Sequence, residues 1–391
     1  MAITDKKTGP WGLDQVYNKI NQGSIWGYSG APGVFVMGEN NYGQLGLNDK
    51  VSRSSPIQMG TDTDWDGDNI RFLGNHSLLR KTDSTLWTMG SASWGKLGLN
   101  AESVDQSSPT QIPGTTWSSV AGGNSATVSG ALKSDGSLWL WGKNDFGVLG
   151  QNAPSTSRKS SPTQVPGSTW SSASVAPSQV NAVKTDGTLW TWGDNSNGRH
   201  GLNTPQFASQ SSPVQLPGTW TKTIATSSGC CFGWRSATEL WSWGYHGRGT
   251  IGQGTYQSIS SPVQIPGSWP SAVGKFSSMH RHAGAVKSDG TLWVWGWNAY
   301  GQLGQNQPGP SNRSSPTQIP GTTWDLVESG AYNMLAKKTD GTLWAWGYNT
   351  AGALGLGNKV FYSSPVQVGT DTNWIGPINS GWQGTSVIGG V

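Results

Sequence analysis

Residues Ala182–Gly193 read AVKTDGTLWTWG, two short apolar runs joined by Asp186-Gly187. Asp-Gly between such runs is a strong hairpin signal, because a type I′ turn needs φ > 0 at its central positions. The period is two rather than 3.6, so Trp190 and Trp192 face the same side of a strand.

The same segment recurs along the chain. Strand-like phrases VFVMG, LWTMG, LWLWG, LWTWG, LWSWG, LWVWG and LWAWG close at Gly38, Gly90, Gly142, Gly193, Gly244, Gly296 and Gly347, in steps of 51 or 52 residues. Eight residues after each stands another glycine, from Gly46 and Gly98 through to Gly355, usually within N-x-x-G-x-L-G. SSP-x-Q follows, and then an isolated tryptophan at Trp65, Trp117, Trp170, Trp220, Trp269, Trp324 and Trp374. Units of this length, made of short strands and turn glycines without helical periodicity, describe the blades of a β-propeller. Of the 24 Trp, 18 fall at repeat positions and are expected to pack blade against blade. The last unit stops before any LWxWG, and the first supplies VFVMG without a preceding Trp and hairpin. The expected fold is therefore all-β, a single seven-bladed propeller over residues 31–391. Its ring closes by pairing the segment from Gly384 with the strand around Val34–Met37, which removes two exposed sheet edges.

Composition excludes several classes. The 391 residues include 57 Gly and 21 Pro, about a fifth of the chain, below the level of low-complexity disorder. Charged residues are only 12%, with a net charge of +4 and no basic run longer than a pair such as Lys6-Lys7 or Lys337-Lys338, so nucleic acid is not an expected partner. No apolar run reaches eighteen residues, and the start MAITDKKTGPWGLDQ lacks the apolar stretch of a secretory signal. No membrane span is expected, and location is expected to be a virion or otherwise the cytoplasm. The only cysteines, Cys230 and Cys231, are adjacent and build neither a disulfide framework nor a metal cage.

The order DGT turn, LWxWG, N-x-x-GQLG and SP-x-Q, as in GENNYGQLG at Gly38–Gly46 and GWNAYGQLG at Gly296–Gly304, resembles the RCC1 (regulator of chromosome condensation) repeat. That resemblance implies a seven-bladed propeller acting as an interaction module or regulator. The family's best-known member is a guanine-nucleotide exchange factor that also binds chromatin, through a protruding insertion and a basic N-terminal tail. The repeats here vary by only a few residues, and residues 1–30 hold three Lys, no Arg and two Asp. Of the family's histidine ahead of the hairpin, only His76 and His282 are present, and blade packing is their expected role.

Residues 1–30 read as an N-terminal arm. Leu13, Val16, Tyr17 and Ile20 fall at i, i+3, i+4 and i+7, with Trp11 just ahead, Pro10 near the start and Gly23 beyond the end. This predicts one short amphipathic helix, which needs a surface to lie on: its own propeller, or a protein partner docked through Trp11, Leu13, Val16, Tyr17 and Ile20. The phrase GPWGLDQVYNKINQGSIW also resembles the opening of RCC1-repeat proteins of marine tailed bacteriophages. That implies a virion component whose partner is a capsid or tail protein.

No GxSxG, HExxH or Walker loop is present, and the recurring Asp135, Asp186, Asp289 and Asp340 belong to hairpin turns. Neither an enzyme nor a cofactor or metal is expected. His200, His246, His280 and His282 lie close enough in sequence to suggest a polar patch on neighbouring blades. One loop position varies while its neighbours do not: four residues after each LWxWG glycine stand Tyr42, Trp94, Phe146, Asn197, Arg248, Tyr300 and Ala351. Together with Trp297 and His246, its aromatic and basic members form the expected loop-face binding surface. The function expected is a non-catalytic interaction or structural module, with the virion component first. The alternatives are an adhesin for host-surface glycan and a cytosolic regulator that binds a GTPase or another protein.

Overall fold

In the computed structural model the described residues are 33–121, 127–153, 157–204, 208–307, 311–380 and 384–389. The helix expected over Trp11–Asn21 lies outside them. The described strands form seven four-stranded antiparallel sheets. Six are built from consecutive strands, and the seventh is composite, shared between the chain's two ends. Blade 1 comprises Trp65–Phe72, His76–Lys81, Leu86–Gly90 and Gln106–Ile112. Blade 2 comprises Trp117–Val120, Val128–Lys133, Leu138–Gly142 and Lys159–Gln164, and blade 3 Trp170–Val175, Gln179–Lys184, Thr188–Gly193 and Gln210–Thr219. Blade 4 comprises Lys222–Ala225, Cys230–Trp234, Leu240–Gly244 and Ile259–Gln264, and blade 5 Phe276–Met279, His282–Val286, Leu292–Gly296 and Arg313–Ile319. Blade 6 comprises Trp324–Ser329, Asn333–Lys338, Leu343–Gly347 and Tyr362–Gln367.

In the composite blade 7, Gly33–Gly38 pairs on one side with Arg53–Gln58 and on the other with Gly384–Gly389, in the register Val34↔Ile388 and Val36↔Ser386. Gly384–Gly389 then pairs with Trp374–Ser380. The two incomplete ends of the sequence thus complete one another, and the fold is an all-β propeller. The first strands of successive blades meet around the axis, for example those of blades 3 and 4, 5 and 6, and 6 and 7.

The tryptophans do the packing that their spacing implies. The second Trp of each LWxWG, at Trp141, Trp192, Trp243, Trp295 and Trp346, is fully buried. Each indole N–H donates to a backbone carbonyl in the preceding blade, as Trp141 does to Lys96 at 2.9 Å and Trp243 to Arg199 at 2.9 Å. Under the ring lies the glycine eight residues beyond the preceding LWxWG. A Cβ on Gly98, whose φ is +72°, would stand 2.8 Å from Trp141 Nε1, which is why this position recurs as glycine. Where the sequence has MG instead of WG, Met89 and Met37 reach the equivalent Gly46 and Gly355. The first Trp is half-buried, and its ring meets the isolated Trp edge to face, as in Trp170–Trp190 at 6.3 Å and 82°. Lys184 Nζ sits 4.8 and 4.5 Å from those two ring centroids. The hairpin itself is tied by Asp186, which accepts from the Thr188 amide and hydroxyl, while Thr188 Oγ1 accepts from Trp190 Nε1. Those bonds from Thr188 hold the Asp186 carboxyl below its usual range.

A further contact joins neighbouring blades. Asn100 N–H donates to the carbonyl of Ser160 in the next blade at 2.8 Å, from a left-handed backbone with φ +58°. Asn48, Asn152, Asn203 and Asn306 repeat this, and Gly254 and Gly357 take the place in the other two units. Asparagine and glycine are the residues that tolerate this conformation. His76 and His282 are buried and bond to the next blade, to Ser129 Oγ at 2.7 Å and the Asn333 carbonyl at 3.1 Å.

Candidate functional site, an aromatic patch on the loop face of blades 4 to 6

Because the second and third strands of a blade are antiparallel, as in Asn333↔Gly347, the connection between strands one and two emerges on the same face as that between strands three and four. This is the loop face. In the latter turn, five of the seven units use an asparagine whose side-chain carbonyl accepts a backbone amide five residues on, as Asn298 does from Leu303 at 2.9 Å. The turn therefore keeps its shape while the residues around it vary.

On blades 5 and 6 these loops bring six rings together. Trp297 and Tyr300 come from the LWVWG turn, Tyr348 and Phe361 from the LWAWG turn, and His280 and Tyr332 from the shorter connections. Tyr300 stands 4.9 Å from Tyr348, 5.5 Å from Tyr332 and 5.6 Å from Trp297, all edge to face. Tyr348 meets Phe361 at 4.7 Å, and His280 meets Tyr332 at 5.2 Å and Trp297 at 5.9 Å. The backbone is anchored beneath: Tyr348 N–H donates to the Tyr332 carbonyl at 3.0 Å, and Trp297 N–H to the Arg281 carbonyl at 2.8 Å. Phe361 is 42% exposed and the other rings half-buried, so the cluster is an open apolar surface on a fixed frame.

Arg281 joins the patch to blade 4. Its guanidinium lies over both Trp297, at 5.9 Å, and Tyr245, at 5.8 Å. With His280 it forms the two-residue connection between paired Met279 and His282, and His280 has the left-handed φ of +39°. Ser228 of blade 4 donates to the His280 carbonyl, and Thr250 Oγ1 donates to the Arg281 carbonyl at 2.9 Å. Burial, with Arg281 beside it, pushes the His280 imidazole down to about 4, so Arg281 carries the positive charge. Burial also raises the Tyr332 hydroxyl above the usual phenol range, with Tyr300 adding to it.

The residues expected from sequence divide. Trp297 and Tyr300 join the cluster. Tyr42, Trp94 and Phe146 are exposed, on blades 7, 1 and 2, and among the described residues no ring contact links them. Trp94 and Phe146 have left-handed φ of +68° and +57°, and Lys143 lies over the Trp94 ring at 4.7 Å. Arg248 is exposed on blade 4. His246 is a correction: it is fully buried, and its Nδ1 accepts the Ile251 amide at 3.0 Å, taking the asparagine's part in its turn. It cannot present itself on the face. His200 and His282 are buried as well, so the histidines make no shared surface patch. Among the described residues no group of three or more His, Cys, Asp or Glu is placed to hold a metal. Cys230 and Cys231 are buried free thiols, and burial pushes Cys231 up to about 12. No helix among the described residues is long and apolar enough to cross a membrane. Trp11, Leu13, Val16, Tyr17 and Ile20 lie outside the described residues.

Sequence reasoning missed Tyr332, Tyr348 and Phe361, and met Arg281 only as the residue between His280 and His282 in the histidine-rich stretch. Tyr348 directly follows a repeat glycine, as Trp297 does, but Tyr332 and Arg281 come from the other set of connections, which the repeat pattern does not single out.

A closed ring of near-identical blades with a varied, aromatic loop face defines a β-propeller scaffold for binding. Comparison with known proteins gives its family. The Regulator of chromosome condensation (RCC1) repeat matches residues 33–65, 83–129, 135–178, 289–336 and 340–388, more than half of the chain. The chain belongs to that family. It is similar to the ultraviolet-B receptor UVR8 of Arabidopsis thaliana, 26% identical over 323 residues, which are 80% of this chain and 72% of the relative. It is also similar to the mitochondrial RCC1 domain-containing protein RUG3 of Arabidopsis thaliana, 25% identical over 304 residues, covering 73% of this chain and 66% of the relative. Among solved structures it resembles Prp20p of Saccharomyces cerevisiae, described with its binding to Gsp1p and histones, at a TM-score of 0.77 and 18% identity, covering 93% and 92% of the two chains. Yeast RCC1 (Prp20) with Kap60 bound gives 0.79 at 16% identity over 100% and 96%.

Proposed function

We propose that this propeller is a non-catalytic protein-binding module acting as a regulator, with the loop face of blades 4 to 6 as its docking surface. The observation behind this reading is the joined patch of Trp297, Tyr300, Tyr332, Tyr348 and Phe361, half-open to solvent and held by backbone bonds from below. Aromatic clusters on rigid frames concentrate binding energy in protein interfaces. The partners named for Prp20p, Gsp1p, histones and Kap60, are all proteins, which favours a protein-binding regulator over a virion component or a glycan adhesin. The adhesin reading rests on the loop aromatics as a set, of which Trp297 and Tyr300 join the cluster while Tyr42, Trp94 and Phe146 stand apart on three other blades. The N-terminal arm, with Trp11, Leu13, Val16, Tyr17 and Ile20, is a second proposed attachment point.

The test is affinity capture from the source lysate with the full chain, with Trp297→Ser/Tyr348→Ser, and with residues 1–29 removed. A protein held by the wild type and lost from the double variant, at unchanged melting temperature, supports the patch. Loss only on removal of the arm moves the docking site there, and equal retention by all three overturns both.

A further inference from the structure

The loop face is electrically divided. On blades 7, 1, 2 and 3 its loops carry Glu39, Asp49, Glu102, Asp105, Asp145 and Asp194. Four cations there are paired, Lys50–Asp105 at 3.0 Å, Lys143–Asp145 at 2.7 Å, Arg158–Glu102 at 2.9 Å and Arg199–Asp194 at 3.2 Å, and a fifth, Lys96, is buried. On blades 4, 5 and 6 the equivalent loops, 226–229, 245–258, 280–281, 297–312, 330–332 and 348–361, contain no Asp or Glu at all. They contain Arg248, Arg281 and Lys359, none of which makes an ion pair among the described residues. The uncompensated cations share their loops with the aromatic patch. Arg281 lies over Trp297 and Tyr245, Arg248 is three residues beyond Tyr245, and Lys359 is two residues before Phe361. Arg281 Nε is buried without a hydrogen-bond partner.

We infer that the patch docks an acidic segment of a protein partner, one that sets carboxylates against Arg281, Arg248 and Lys359 and apolar or aromatic side chains against the rings. This rests on the reading of the patch as the docking surface and adds the chemistry of what it takes. The Arg281 guanidinium lies 5.9 and 5.8 Å from the Trp297 and Tyr245 ring centroids, and a guanidinium offers a planar fork of N–H donors that a carboxylate engages through two parallel hydrogen bonds. Nucleic acid fits less well. The rings meet one another edge to face at 4.9 to 5.6 Å around Tyr300, so they offer no flat platform for stacked bases. Three cations over three blades are also too sparse for a phosphate backbone.

The experiment measures binding of the full chain, by fluorescence anisotropy at low salt, to three labelled probes. These are a random glutamate–tyrosine copolymer, the glutamine–tyrosine copolymer and a single-stranded oligothymidylate of equal charge. The glutamate copolymer should bind about tenfold more tightly than the other two, a difference of about 1.4 kcal/mol. Arg281→Gln/Arg248→Gln/Lys359→Gln should lose that tenfold, and Lys50→Gln on the paired half should not. Added salt should weaken binding. Equal binding of the two copolymers, an unchanged triple variant of native melting temperature, or tighter binding of the oligothymidylate would overturn the inference. The aromatic-variant capture above reads the docking surface separately, so a lost acidic preference beside a retained capture effect removes only the acidic class.

Discussion

The backbone N–H of Gly357, in the last turn of blade 6, donates to the carbonyl of Ser54, in the outer strand of blade 7, at 2.9 Å. That bond joins residues from opposite ends of the chain and repeats, at the closing seam, the latch that Asn100 makes to Ser160. The seam is thus built like every other blade interface, with the composite sheet behind it.

Deleting residues 384–391 removes the strand that Gly33–Gly38 pairs with and leaves two sheet edges open. Melting temperature should fall by about 10 °C or more, a loss of several kcal/mol for a domain of this size. Light scattering on heating should begin earlier, since open edges template aggregation. An unchanged melting curve would remove terminal closure as a source of stability.

Asn100→Ala should destabilise by about 1–2 kcal/mol, because the left-handed backbone crowds a Cβ that has no compensating polar group. Asn100→Gly should be nearly neutral, as Gly254 and Gly357 already serve at this place. Chemical denaturation of the two variants decides it, and similar losses in both would show that the amide side chain matters rather than the backbone.

Trp243→Ala should cost about 3–5 kcal/mol, the range for large-to-small changes in a packed core. Trp241, half-buried beneath Arg235, should cost less. Trp94→Gly should instead stabilise by about 1 kcal/mol, since Trp94 is 41% exposed and sits at φ +68°. Equilibrium unfolding ranks the three, and any other order contradicts the packing described.

Burial holds His200, His246, His280 and His282 down to about 4, and burial with Lys96 nearby holds His76 well below the usual imidazole value. In the unfolded chain such groups titrate near 6.5. Between those values the unfolded state takes up protons that the folded state refuses, so their contribution is full above about pH 6.5 and shrinks towards pH 4. Melting temperature should fall across that window. His246→Asn, the residue that five other turns use, should flatten the decline without loss at pH 7; an equal slope would exclude His246 as a contributor.

The scaffold was legible because its causes are local. Asp186-Gly187 marks a hairpin, although the turn is centred on Thr185-Asp186, with only Gly187 left-handed at φ +80°, rather than the type I′ turn expected; Trp190 and Trp192 share a face by period two, and the unmatched halves at Val34 and Trp374 reveal the seam. The site was legible only in part. Trp297 and Tyr300 follow a repeat anchor, but their neighbour Tyr332 is brought to them from another connection by the antiparallel pairing of Asn333 with Gly347. His246 misled because a residue that breaks a pattern looks functional, whereas its ring nitrogen accepts the bond that an asparagine oxygen accepts elsewhere. The charge division of the face is written in the sequence, yet it becomes visible only when the loops are sorted by blade.

The composite sheet also sets the order of assembly. Gly33–Gly38 precedes every other described strand along the chain, yet one of its partners, Gly384–Gly389, follows them all. Six sheets can form as the chain emerges, each from neighbouring segments, while the first strand waits with one edge bare. Pairing between residues so far apart is slow to form, and until it forms the blades make an open arc rather than a ring.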